Sequence, residues 1–120
     1  MSAQLIGLWR EGDFDLLTAA EQLDQLMRVM RHPAIRARLM PALAGRLVGE
    51  LGARAIVVGD LPAVTVCPDP HDNFLLAISA AGAADFLVAG DRPRLLAPER
   101  HGTTAIVGVG DFLARQRSLR

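Results

Sequence analysis

The sequence predicts an α/β domain with a short parallel sheet, and three observations carry that expectation. Asp69-Pro70 reads as an N-cap followed by a proline at the first helical position, and Gly82 as a C-terminal stop, which sets a helix over 70–81. Phe86 to Ala89 is a short, uninterrupted apolar run, the pattern of a strand buried on both faces of a parallel sheet. The chain has 120 residues, 51% of them hydrophobic and 22% charged, which suits one folded core rather than a disordered segment. A chain of this length buries about two-thirds of its unfolded surface. With no internal repeat and no low-complexity linker, a single domain over 1–120 is expected.

In a right-handed βαβ unit the helix runs down and the next strand runs back up. A helix of about eleven residues covers roughly 16 Å and a strand of about five roughly 17 Å, so helix start and strand end finish at one edge. Asp72, in the first helical turn, and Asp91, just past the apolar run, are therefore expected to be neighbours. That edge is where open α/β sheets hold ligands.

The remaining elements follow in order. Ser2 to Arg10 reads as an amphipathic helix and Phe14 to Leu17 as a short buried strand. Thr18-Ala19-Ala20-Glu21 fits a capping box, in which the threonine hydroxyl takes the third backbone N–H and the glutamate bonds back. Leu23, Leu26, Met27 and Met30 then recur at helical spacing and are expected to face the core, up to Pro33. Pro41 breaks the helical stretch from Ala34 to Leu51 into a short helix to Leu39 and another from Pro41. Ala55 to Val58 reads as a strand and Arg92 to Leu96 as a helical turn. Ala105 to Val109 is the last strand, and Asp111 to Gln116 a closing helix.

Composition narrows the classes. No apolar run approaches the ~18 residues of a membrane span, and no basic segment followed by an apolar one opens the chain; neither a transmembrane helix nor a signal peptide is expected. A cytoplasmic protein is expected, with Cys67 as a buried or half-buried small apolar residue that has no internal disulfide partner. Net charge is zero and all thirteen basic residues are arginine. The absence of lysine excludes receiver-type phosphoacceptor domains, which need one beside their aspartates. Arg28, Arg31, Arg36, Arg38 and Arg46 fall within nineteen residues that contain no acid, and form either a phosphate-facing patch or a solvated helical face.

Two stretches resemble a known family. Pro68-Asp69-Pro70-His71-Asp72-Asn73-Phe74-Leu75-Leu76-Ala77, then Ala84-Asp85-Phe86-Leu87-Val88-Ala89-Gly90-Asp91, is similar to the C-terminal half of PIN domains of the kind found as toxins of bacterial toxin-antitoxin systems. Leu8 to Leu17, Glu21-Gln22-Leu23 and Arg31-His32-Pro33 with Arg36 and Arg38 resemble the family's first helix, second strand and arginine-rich hairpin. The resemblance implies a three-layer α/β/α domain with strand order 3-2-1-4-5 and a ribonuclease dependent on Mg²⁺ or Mn²⁺. Hard cations prefer carboxylate and water oxygens, and such an ion acidifies a bound water and neutralises charge on the attacked phosphate. Position by position, Asp72 and Asp91 match catalytic metal ligands. Asp69 matches a further acid, as a ligand, a cap or an outer group.

The chain also departs from the pattern. Its Met1 falls in what resembles the helix after the family's first, central strand, so that strand and its aspartate are expected to be missing. Gln25 stands where relatives carry a glutamate, and Ala89 where they often carry threonine or serine. The implied partners are single-stranded RNA and an antitoxin protein. With the central strand missing, the two halves are expected to close into a four-stranded sheet or to pair their edges in a homodimer. Three functions stay open: a PIN ribonuclease with an impaired site, an inactive PIN-like remnant that binds a partner, and an unrelated α/β protein using its acids for another metal-dependent ligand. His71 is expected to be exposed, Trp9 to be core, and His32 and His101 have no ligand-spaced partners. Gly108-Val109-Gly110 lacks the rest of a phosphate loop.

Overall fold

The computed structural model describes residues 3–36, 41–90 and 93–118. Its elements are α1 (Ala3–Arg10), β1 (Leu17–Ala19), α2 (Ala20–Arg31), α3 (Pro33–Arg36), α4 (Pro41–Arg54) and β2 (Ile56–Val58). They continue with α5 (Pro70–Ala81), β3 (Phe86–Val88), α6 (Pro93–Leu96), β4 (Arg100–His101), β5 (Thr104–Val107) and α7 (Val109–Ser118). The fold is α/β, and its residues group into two compact units, one of residues 1–15 and 60–120, the other of residues 16–59.

The first unit is built on a three-stranded sheet ordered β3-β5-β4, with β3 parallel to β5 and β4 antiparallel to it. Two buried clusters hold it. Leu5, Val107 and Phe112 pack with Phe14, Phe86 and Val88. There Phe112 meets the edges of Phe14 at 5.2 Å and Phe86 at 5.7 Å, the T-shaped geometry that aromatic quadrupoles favour. In the second cluster Cys67, Leu76, Ala89, Leu95 and Ile106 come together. Trp9 is buried, as its spacing predicts.

Thr104 joins this sheet to the turn before it. Its hydroxyl, 2% exposed, donates to the Ala84 carbonyl at 2.7 Å. Thr104→Val is isosteric but leaves that carbonyl without its donor, an expected loss of about 1–3 kcal/mol. Urea unfolding of the variant measures it, and a midpoint equal to wild type would refute the assignment.

The second unit pairs β1 with β2 in parallel, Leu17 opposite Ile56 and Ala19 opposite Val58, and packs α2 against α4. The described strands thus form two separate sheets, and the closure into one four-stranded sheet is not formed among them. The second strand is also displaced. Phe14 joins the aromatic cluster of the first unit, and pairing begins at Leu17, where the chain meets β2. Thr18 consequently lies in the ladder opposite Val57, and the expected capping box is absent. Its hydroxyl donates to Gln22 Oε1 at 2.7 Å, and Ala19 occupies the N-cap position with no side-chain bond. Leu26 and Met27, expected to face the core, are 37% and 39% exposed, and no residue of α2 is buried.

The prolines act as expected. His32 adopts the extended backbone that a following proline imposes, and Pro33 and Pro41 each open a helix. The expected helix end near Leu39 and Arg38 lie outside the described residues. Sequence reading overlooked β4, two residues long and paired to β5 through the tight turn at Gly102, whose φ of +58° is left-handed.

A candidate active site at the start of α5

Asp69, Pro70 and Gly82 set the limits of α5. Asp69 is extended, and its Oδ1 accepts from the His71 N–H at 2.8 Å. Pro70 at the first position has no N–H to satisfy. At the other end the Gly82 N–H bonds the Ile78 carbonyl at 3.1 Å. Asp69 is therefore observed as the helix cap, and it is exposed.

Asp72 is the third helical residue and only 4% exposed. It has an interaction partner in the chain. A negative charge there faces the positive end of the helix dipole. Asp72, Leu76 and Ser79 lie at helical spacing on the buried side of α5, so the carboxylate is anchored by the same face that builds the core.

The structure reveals a role for Asn73 that sequence reasoning missed. Its Oδ1 accepts from the Cys67 N–H at 2.8 Å, and its Nδ2 donates to the Cys67 carbonyl at 2.8 Å. Both backbone groups of a buried residue are thereby satisfied by one side chain. The signal was present: Pro68 and Pro70 remove two N–H donors from the loop, and an amide in the next helical turn is a short-range source of replacement bonds.

On the strand side, Ala89 is buried and its N–H bonds the Val107 carbonyl at 2.9 Å. Gly90 follows at φ +61°, in the left-handed region that favours glycine. Asp91 itself lies outside the described residues. Cys67 before α5, Leu76 within it and Ala89 after β3 share one buried cluster, so the loop, the helix and the end of the strand are held together.

Hard divalent cations suit the donor type here, a carboxylate in a buried setting. In number the described residues fall short: no three His, Cys, Asp or Glu side chains among them gather into a metal-binding group. Of the other candidates, His71 is exposed, with its ring tilted against Phe74 at 6.3 Å. His32 is exposed and its Nδ1 accepts from the Ala34 N–H, a local capping role. His101 lies in β4 and Gly108 precedes α7. In the second unit Gln25, Arg28, Arg31 and Arg46 are exposed, and Arg36 lies in α3.

The sequence matches the PIN domain family over residues 1–93, and the chain belongs to that family. The family is of nuclease type, generally dependent on divalent metal, and implies RNA binding. No curated protein matches the chain. No solved structure does so either. No helix among the described residues is long and apolar enough to cross a membrane.

Proposed function

We propose that this chain is a metal-dependent ribonuclease of the PIN family with an impaired site, acting in the cytoplasm as the toxin of a toxin-antitoxin pair. The observation that carries the reading is Asp72, a carboxylate 4% exposed in the first turn of α5, at the position where PIN domains carry a metal-binding acid. Asp72 and Asp91 would hold Mg²⁺ or Mn²⁺, and Asp69 caps the helix that carries Asp72. Support for pairing the two comes from Ala89, two residues before Asp91, which shares a core with Cys67 and Leu76. The ion, when bound, supplies a more acidic water and charge neutralisation at the phosphate.

The chain's own residues do the rest. Asp72 fixes negative charge at one point because its helix face is buried. In the second unit Arg28 and Arg31, one helical turn apart, are exposed and suit the phosphates of single-stranded RNA. Gln25 carries no charge where relatives carry glutamate, and the loss of one well-placed electrostatic group commonly costs on the order of 10²- to 10³-fold in rate. Cleavage by this chain is accordingly slow.

A second reading is a non-catalytic partner-binding protein. It is favoured by the second unit, which exposes Leu26, Met27 and Val29 on α2 and Ile56 and Val57 on β2. A parallel pair with exposed apolar residues is ordinarily covered, here by an antitoxin or a second copy of the chain.

Incubation of the purified chain with labelled single-stranded RNA and Mn²⁺ separates the readings. Slow cleavage that disappears in Asp91→Asn is expected, with RNA affinity and its salt dependence both reduced in Arg28→Gln/Arg31→Gln. Rapid cleavage would contradict the impaired site. RNA bound but never cut would favour the second reading.

A further inference from the structure

Next to Asp72 in the first turn of α5 stands Asn73, and both bonds of its side-chain amide go to a single residue, Cys67. The loop Cys67-Pro68-Asp69 has few means of holding itself. Pro68 has no N–H to donate, Asp69 is committed to the helix cap, and both are exposed. The Cys67 side chain is packed with Ala89, Leu76 and Ile106, while its N–H and carbonyl are both taken by Asn73. The Asn73 N–H adds a bond to the Asp69 carbonyl at 3.2 Å. One residue thus ties the helix turn that carries Asp72 to the buried residue that contacts the end of β3.

We infer that Asn73 is a positioning residue for the metal site: its carboxamide latches Cys67 and thereby fixes the Asp72 carboxylate relative to the end of β3. The inference rests on the reading of Asp72 as a metal ligand. With the latch intact, the first turn of α5 and the core beneath it move as one piece. With it broken, the loop frees its backbone groups to water and the first turn of α5 keeps only the Leu76 contact as its tie to the end of β3, while the helix itself persists on its Asp69 cap.

Cys67 supplies the probe, because it is the chain's one cysteine and is 8% exposed. Thiol labelling by an aromatic disulfide reagent reads the exposure of Cys67, and comparison with the global stability from urea unfolding separates opening of this loop from unfolding of the whole chain. In Asn73→Ala, labelling is expected to accelerate about tenfold or more, the population change that two lost hydrogen bonds produce, with the far-UV circular dichroism unchanged. Mn²⁺ is expected to slow labelling in the wild-type chain, since a ligand that prefers the closed loop must stabilise it. That protection should vanish in Asn73→Ala, and Mn²⁺ affinity should fall about tenfold. Asn73→Gln, which keeps the amide one methylene too far for both bonds, should fall between the two and serves if the alanine variant fails to fold. Labelling of both variants at the wild-type rate would overturn the latch. Faster labelling with unchanged Mn²⁺ affinity would make Asn73 merely structural and overturn the inference alone. Equal Mn²⁺ binding by wild type and Asp72→Asn is the distinct signature of failure of the metal reading, and takes the inference with it.

Discussion

Asp72→Asn is expected to reduce Mn²⁺ binding at least about tenfold, and Asp91→Asn to do the same. Hard cations select charged oxygens, and the proposed site rests on these two acids, so an amide at either position is expected to be a poor replacement. Wild-type affinity should itself be weak, because no three His, Cys, Asp or Glu side chains gather into a metal-binding group among the described residues. The fold should survive: asparagine is nearly the same shape, and the charge it removes from the helix start is worth about 0.3–1 kcal/mol in exposed settings and up to about 2 when partly buried. Asp69→Asn is the control, since asparagine caps a helix as well as aspartate does, and it should weaken binding far less. Titration calorimetry or Mn²⁺ electron paramagnetic resonance on the four proteins decides it. Indistinguishable binding by wild type, Asp72→Asn and Asp91→Asn would remove the site.

The second large effect is on stability. Leu76 is fully buried and packs among Cys67, Ala89, Leu95 and Ile106. Leu76→Ala removes its transfer energy and leaves a cavity in a cluster drawn from α5, α6, β5 and the loop residues Cys67 and Ala89, at a cost of about 2–5 kcal/mol. Small domains have only about 5–15 kcal/mol in total, and each kcal/mol lowers the melting temperature by about 4 °C or more at this size. A fall of about 8–20 °C is expected in thermal unfolding followed by circular dichroism. Leu76 lies one turn beyond Asp72 on the same face, so Mn²⁺ binding should decline with it. A change of only a degree or two would mean that the cluster is not the support of α5.

Helix α5 was legible because its limits are local chemistry. Asp69, Pro70 and Gly82 each satisfy or remove a backbone group within a few residues of themselves, and the structure gives α5 the same start and stop. The strand after it was legible for a similar reason, since Phe86 to Val88 are apolar without interruption. Candidate ligands were legible in type only: a carboxylate in a first helical turn can be read from sequence, but its burial cannot. The exposed reading of His71 and the buried readings of Trp9 and Cys67 held because spacing and neighbours decide them.

What failed were judgements that depend on distant partners. Thr18 has every local qualification for a capping box, yet pairing opposite Val57, distant in the sequence, keeps it in a strand, and its hydroxyl turns to Gln22. Phe14 looks like the start of that strand, and the aromatic contact with Phe112 at the far end of the chain claims it instead. Leu26 and Met27 have core spacing, but spacing fixes only which side of a helix is apolar and leaves open how much of it is covered. The Asn73 bonds to Cys67 are short-range and their signal, Pro68 and Pro70, stood in the sequence; only where Cys67 packs, among Ala89 and Ile106, depended on distant residues. Sequence by itself determined the α/β class, the helix that carries Asp72 and the chemical type of the candidate ligands, because these follow from short-range capping, propensity and periodicity. Only the tertiary structure decided which residues pair, which apolar faces are buried and what holds Asp72 in place, because those depend on contacts between residues that the chain order keeps apart.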